Sequence, residues 1–132
     1  MNLFVEAVSR VLETGGDLSL DARFREVDGW CSLNGFGLMV LLENDWQAPV
    51  TVEEFLRLRT VRDLYRVAFI AFAAKTLSVP RSHLTGESAF GDFPEWDSVA
   101  HLRLVMEAER RFGVHYQLEQ IPSIRKIDDF LI

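Results

Sequence analysis

The sequence predicts an all-α protein built as two small four-helix bundles in tandem. Three observations lead there. First, sliding the 132-residue chain over itself by 66 positions matches it from end to end without a gap, dividing it into residues 1–66 and 67–132. Identities fall at Leu18 and Leu84, Phe24 and Phe90, Trp30 and Trp96, Ser32 and Ser98, Leu38 and Leu104, and Asp63 and Asp129. Second, apolar residues recur at helical spacing in each half, and no stretch alternates with period two. Third, many apolar positions are exchanged like for like (Leu33 with Val99, Phe36 with Leu102, Leu64 with Phe130) while the charged surface has diverged. The recurring apolar register is therefore expected to be core, as in two similar folds left by a tandem duplication.

The elements follow in order. Leu3, Phe4, Ala7, Val8, Val11 and Leu12 share one amphipathic face, and Gly15-Gly16 is expected to end that first helix. The second helix of each unit starts at a serine. In the second unit Ser98 precedes Val99, Leu102, Leu104, Val105, Met106 and Ala108, and Gly113 suits a C-terminal cap. The counterpart after Ser32 contains Gly35 and Gly37, each costing about 1 kcal/mol relative to Ala inside a helix. That predicts a frayed helix, or a close approach by another. Short helical turns are expected around Val52–Leu58 and Glu119–Ile121, then final helices capped by Thr60 and Ser123. From Val50 to Val79 there is neither Gly nor Pro, so Val61–Arg66 is expected to run straight into Val67–Leu77 as one helix. Such a joint fixes the angle between bundles or lets two copies exchange elements as a homodimer. Phe69, Ile70 and Phe72 cover more than one face of it, which predicts an interface.

Composition narrows the function. Hydrophobic residues at 48% and charged residues at 26% are those of a globular chain, not a disordered one. A net charge of -6 argues against nonspecific nucleic-acid binding. The single cysteine, Cys31, can form no internal disulfide and offers no metal-ligand cluster, so a reducing cytoplasm is expected. The longest apolar run, Val67–Ala74, is far short of the roughly 20 residues that span a bilayer. Glu6 interrupts the first apolar residues, unlike a secretory signal. His83, His101 and His115 lack the neighbours of a triad or metal site and are expected to be solvated, while Trp30 and Trp96 are expected to be packing anchors. No set of nucleophile, base and oxyanion donors converges, so no catalytic residue is assigned and the protein is not expected to be an enzyme.

One motif carries chemistry. Glu95-Trp96-Asp97-Ser98-Val99-Ala100-His101-Leu102, followed by Glu107, Glu109, Phe112-Gly113-Val114 and Ile127-Asp128-Asp129-Phe130, resembles acyl carrier proteins. The resemblance covers the second unit, and the internal repeat extends it more weakly over the first. It implies a four-helix carrier bundle in which Ser98, opening the second helix, receives 4'-phosphopantetheine from coenzyme A. Asp97 matches the aspartate that helps hold magnesium during that transfer, and Val99 replaces the family's leucine. The helix start suits a phosphate on its own physical grounds, because unpaired N–H groups and the positive dipole end favour an anion. An N-cap is the plain alternative for Ser98, and N-terminal charge complementarity the plain alternative for Asp97.

The partners implied by the resemblance are a phosphopantetheinyl transferase, an acyl-activating ligase, and acyltransferase or synthase enzymes of fatty acid or polyketide biosynthesis. These would meet the outward face of the second helix: Val99, Ala100, Arg103 and Met106. Arg103 departs from the acidic residue common in the family. In the first unit Ser32 keeps the serine but Cys31 replaces the aspartate, so Ser32 is the second and poorer candidate for the arm. A carrier-like docking module that binds enzymes without being modified is the competing reading.

Overall fold

The computed structural model describes residues 2–15 and 18–132, so Gly16 of the expected helix stop lies outside the described residues. The chain is all-helical: α1 (Leu3–Leu12), α2 (Ser32–Trp46), α3 (Val52–Arg57), α4 (Val61–Leu77) and α5 (Ser98–Phe112). Single 3-10 turns lie at Phe24–Glu26, Arg81–His83, Ile121–Ser123 and Ile127–Phe130. Among the described residues no strand forms, only isolated bridges between Arg23 and Thr60 and between Ala89 and Lys126. The helix expected from the missing breakers exists: α4 runs unbroken from Val61 to Leu77. The chain divides within it into two compact units, residues 4–68 and residues 69–132, the latter with Asn2 and Leu3.

In the unit 4–68, the apolar face of α1 buries Phe4, Ala7, Val8 and Leu12. Phe4 meets Trp46 edge-on at 5.1 Å between ring centroids and stacks on Tyr65 at 5.7 Å. Such pairs contribute about 0.5–1.5 kcal/mol each beyond area burial. Glu13 ends α1 in the left-handed region at φ 56°, two residues before Gly15 does the same. Far from fraying, α2 is a continuous fifteen-residue helix. Gly37 admits a neighbour, since a Cβ there would come within 3.0 Å of the Val11 side chain on α1, whereas a Cβ on Gly35 would make ordinary contact with the Trp30 ring at 3.4 Å. The close approach of another helix is thus α1 at Gly37.

In the unit 69–132, Phe69 is fully buried and packs on Phe112 at 5.3 Å and Phe130 at 5.1 Å, while Phe72 meets Phe112 edge-on. Two of the three residues that predicted an interface therefore pack within this unit's own core. Gly113 caps α5 in the left-handed region, as its sequence position predicts. The last two elements are shorter than expected, being the 3-10 turns at Ile121–Ser123 and Ile127–Phe130.

The offset of 66 recurs in the hydrogen bonds. Phe24 N–H donates to Arg59 C=O, Val61 N–H to Ala22 C=O and Arg62 N–H to Leu20 C=O; Phe90 donates to Arg125, Ile127 to Ser88 and Asp128 to Gly86. Asp63 Oδ2 accepts from the N–H groups of Arg59 (2.8 Å) and Thr60 (3.1 Å), and Asp129 Oδ2 from those of Arg125 (3.0 Å) and Lys126 (3.1 Å). Thr60 caps α4 as expected, its hydroxyl accepting from Asp63 N–H. Ser123 caps nothing. It ends its own turn, and Lys126 stands at the start of the last one, because the carboxylate three residues on, not a hydroxyl at the start, supplies the bond.

A second expectation fails on exposure. Leu33 and Val99 are 75% and 68% exposed, and Phe36 and Leu102 are 65% and 57% exposed, so these recurring apolar pairs are surface, not core. Leu38 with Leu104, Val61 with Ile127, and Leu64 with Phe130 are among the recurring pairs that are buried in both units.

Candidate functional site

The start of α5 is fixed by three local devices. Asp97, in extended backbone, is the N-cap: its Oδ1 accepts from Ala100 N–H at 2.9 Å and its carbonyl from His101 N–H at 2.8 Å. Ser98 is therefore the first helical residue, and it is exposed. The capping role that was the plain alternative for this serine belongs to its neighbour. Helix geometry leaves Ser98 N–H and Val99 N–H without an intrahelical acceptor, so donors remain beside the hydroxyl where an anion would sit.

Behind the helix start, Trp96 is fully buried and its Nε1–H donates to His101 Nδ1 at 3.0 Å. That bond makes Nδ1 an acceptor, so the proton is on Nε2, which donates to Ile124 C=O at 2.9 Å. Phe90 and Phe130 close on the imidazole edge-on, at 4.9 and 5.8 Å. Burial pushes the His101 pKa down, and nearby Arg125 adds to this against the opposing hydrogen bond to Ile124. His101 is thus not the solvated residue expected from sequence; it is a neutral strut between Trp96 and the turn before the chain's last element. The Trp-x4-His spacing was the one signal for it. His83 and His115 are exposed.

The outward side of α5 presents Val99, Leu102, Arg103 and Met106, all exposed, with Ala100 half-buried beside them. The sequence reading places Val99, Ala100, Arg103 and Met106 on this face, of which Ala100 is half-buried instead, and omits Leu102, which the helical spacing i, i+3, i+7 from Val99 finds. At the start of α2 the same frame carries different chemistry. Ser32 is the exposed first helical residue and Cys31, also exposed, its N-cap. Here Asn34 reaches back, its Oδ1 accepting from Cys31 N–H at 2.8 Å and its Nδ2 donating to Val11 C=O at 3.2 Å. Ser32 and Ser98 belong to different units.

A cleft of about 310 Å³ lies elsewhere in the second unit, between Tyr116, Glu119, Gln120, Ser123, Ile124, Asp129 and Ile132. Its Asp129 carboxylate is committed to the backbone of Arg125 and Lys126, and its Tyr116 hydroxyl donates to Phe130 C=O. Among the described residues no group of three His, Cys, Asp or Glu side chains is placed to hold a metal ion, and no helix is long and apolar enough to cross a membrane. No family model matches this chain, and neither the curated proteins nor the solved structures include one that matches it.

Proposed function

We propose that the chain is a tandem acyl carrier protein, residues 1–66 and 67–132 forming two carrier-like four-helix units, with Ser98 the attachment point of 4'-phosphopantetheine. One observation carries this reading: Asp97 takes the cap of α5, so the exposed Ser98 hydroxyl is not needed for it and stands beside unsatisfied helix donors. The recurrence of backbone bonds at an offset of 66 supports the duplication. The residues present fit the group. Ser98 would hold the arm through its exposed hydroxyl at the helix start, where Ser98 and Val99 N–H would favour a phosphate's charge, and Asp97 accepts the cap bond through Oδ1, so Oδ2 would be the hard oxygen offered to magnesium.

The arm supplies a terminal thiol that holds an acyl or related carboxyl group as a thioester; the fold presents it and the partners do the catalysis. Those partners are a phosphopantetheinyl transferase, an acyl-activating ligase and acyltransferase or synthase enzymes, met by Val99, Arg103 and Met106 in the cytoplasm. Ser32 is a secondary attachment point. For the first unit the docking-module reading has its own support, since Cys31 lacks a carboxylate and its amide is held by Asn34. The test is intact mass after incubation with coenzyme A, magnesium and a broad-specificity transferase. A gain of at least one phosphopantetheine, reduced in Ser98→Ala, is expected. A chain left unmodified by several transferases contradicts the carrier reading and favours the docking module.

A further inference from the structure

The two second helices expose apolar residues at matching positions, yet their surroundings differ. On α5 the stripe Val99, Leu102 and Met106 is broken by exposed Arg103 and flanked by the Glu107–Arg110 ion pair. On α2 the equivalent stripe, Leu33, Phe36 and Val40, lies in a segment from Ser32 to Leu42 without one charged residue, and Gly37 stands where α5 has Arg103. A solvated charge at the middle of α5 suits a face that is bare between encounters. An uncharged face with a largely exposed Phe at its centre suits one that is covered.

We propose that this face of α2 is covered by a second copy of itself, two chains pairing about a two-fold axis with their α2 helices antiparallel. Charge complementarity selects that occupant and that direction. The first charge after the stripe is Glu43, exposed, and there is no acidic residue in the first turn of α2. Antiparallel pairing about an axis between Phe36 and Gly37 sets Leu33 against Val40 of the second copy, and brings Glu43 to the positive dipole end of the opposing helix, where a carboxylate is stabilised. A parallel pair would place the two Glu43 side chains together. A self-pair of α5 in the same register would bring the two Arg103 side chains together at its centre. The α2 contact is isologous, so it closes at a dimer. Three side chains a copy make a small interface, which sets the association in the weak, concentration-dependent range.

The test uses the intact chain in sedimentation velocity from micromolar to millimolar concentration, together with a nitroxide on Cys31, which is the single cysteine and is exposed. The expected result is a monomer–dimer equilibrium that Phe36→Glu weakens by about tenfold or more and Leu102→Glu leaves unchanged. In a mixture of spin-labelled and isotope-labelled copies, broadening between molecules should centre on Val40–Glu43, opposite Cys31. Should Phe36→Glu disturb the fold, Leu33→Gln takes its place. A chain monomeric throughout, a dimer broken by Leu102→Glu, or broadening centred on α5 overturns the proposal. A monomer whose Phe36 inserts into phosphatidylcholine vesicles also overturns it, giving the face to lipid.

Discussion

His101→Phe keeps a ring of similar size against Phe90 and Phe130 but removes both hydrogen-bond partners. The Trp96 indole N–H, on a residue with no exposed surface, then loses its acceptor, and Ile124 C=O loses its donor. An orphaned buried donor costs about 1–3 kcal/mol, and Ile124, also buried, adds to it, so the expected loss is about 2–4 kcal/mol. The sign with pH follows from the same geometry. The folded pKa of His101 lies below its ordinary value of 6.5, so the unfolded chain binds more protons in that window. The contribution of neutral His101 is fully present above the unfolded pKa and is lost as pH falls through 6.5 toward the folded value. Urea unfolding read by far-ultraviolet circular dichroism at several pH values measures both effects. Trp96→Phe closes a double-mutant cycle, in which the pair should couple by about 0.5–3 kcal/mol. A variant within about 0.5 kcal/mol of the parent, with the same slope below neutral pH, would refute the neutral-strut account.

Three further outcomes are expected. Gly35→Ala should stabilise the chain by about 0.5–1 kcal/mol in thermal unfolding, because its Cβ meets Trp30 and Phe55 at 3.4 Å or more and the helix gains propensity. Burial pushes the Asp63 carboxyl up, but the bonds from Arg59 and Thr60 and the Arg66 guanidinium outweigh it and hold it below its ordinary value of 3.8. Its stabilisation is therefore present above that value and lost as pH falls through the folded pKa, so acid titration of Asp63→Asn by circular dichroism should show a shallower loss than the parent. Cys31→Asp supplies the hard oxygen that Cys31 lacks and should raise the initial loading rate of Ser32, followed by peptide mass; no change would remove Cys31 as the cause of a slow first unit.

Helix existence and most helix ends were legible, because local chemistry sets them. Ser98 opens α5 and Gly113 ends it, and α4 runs its seventeen residues through the stretch without breakers. What failed depended on contacts that periodicity does not carry. Leu33 and Phe36 are apolar and recur, which predicts burial, yet both stand on the outward side of α2. The last turn was assigned to Ser123 on residue type, when the identity of Asp63 with Asp129 already marked the group that makes the bond. His101 looked isolated because its partners are an indole five residues back and a carbonyl twenty-three residues on, neither of which resembles a ligand set. At the candidate site the serine and its neighbours were legible by resemblance, whereas the transfer of the cap to Asp97 needed coordinates.

Whether Ser98 carries the arm is measured most directly by where the added mass resides. Tryptic cleavage separates the two serines, Ser32 falling between Arg25 and Arg57 and Ser98 between Arg81 and Arg103. After loading from coenzyme A, fragmentation of the 82–103 peptide should place one phosphopantetheine on Ser98 early in the time course, with the 26–57 peptide lagging or bare. An adduct confined to Ser32, or none on either peptide under conditions that load a control carrier, would contradict the account.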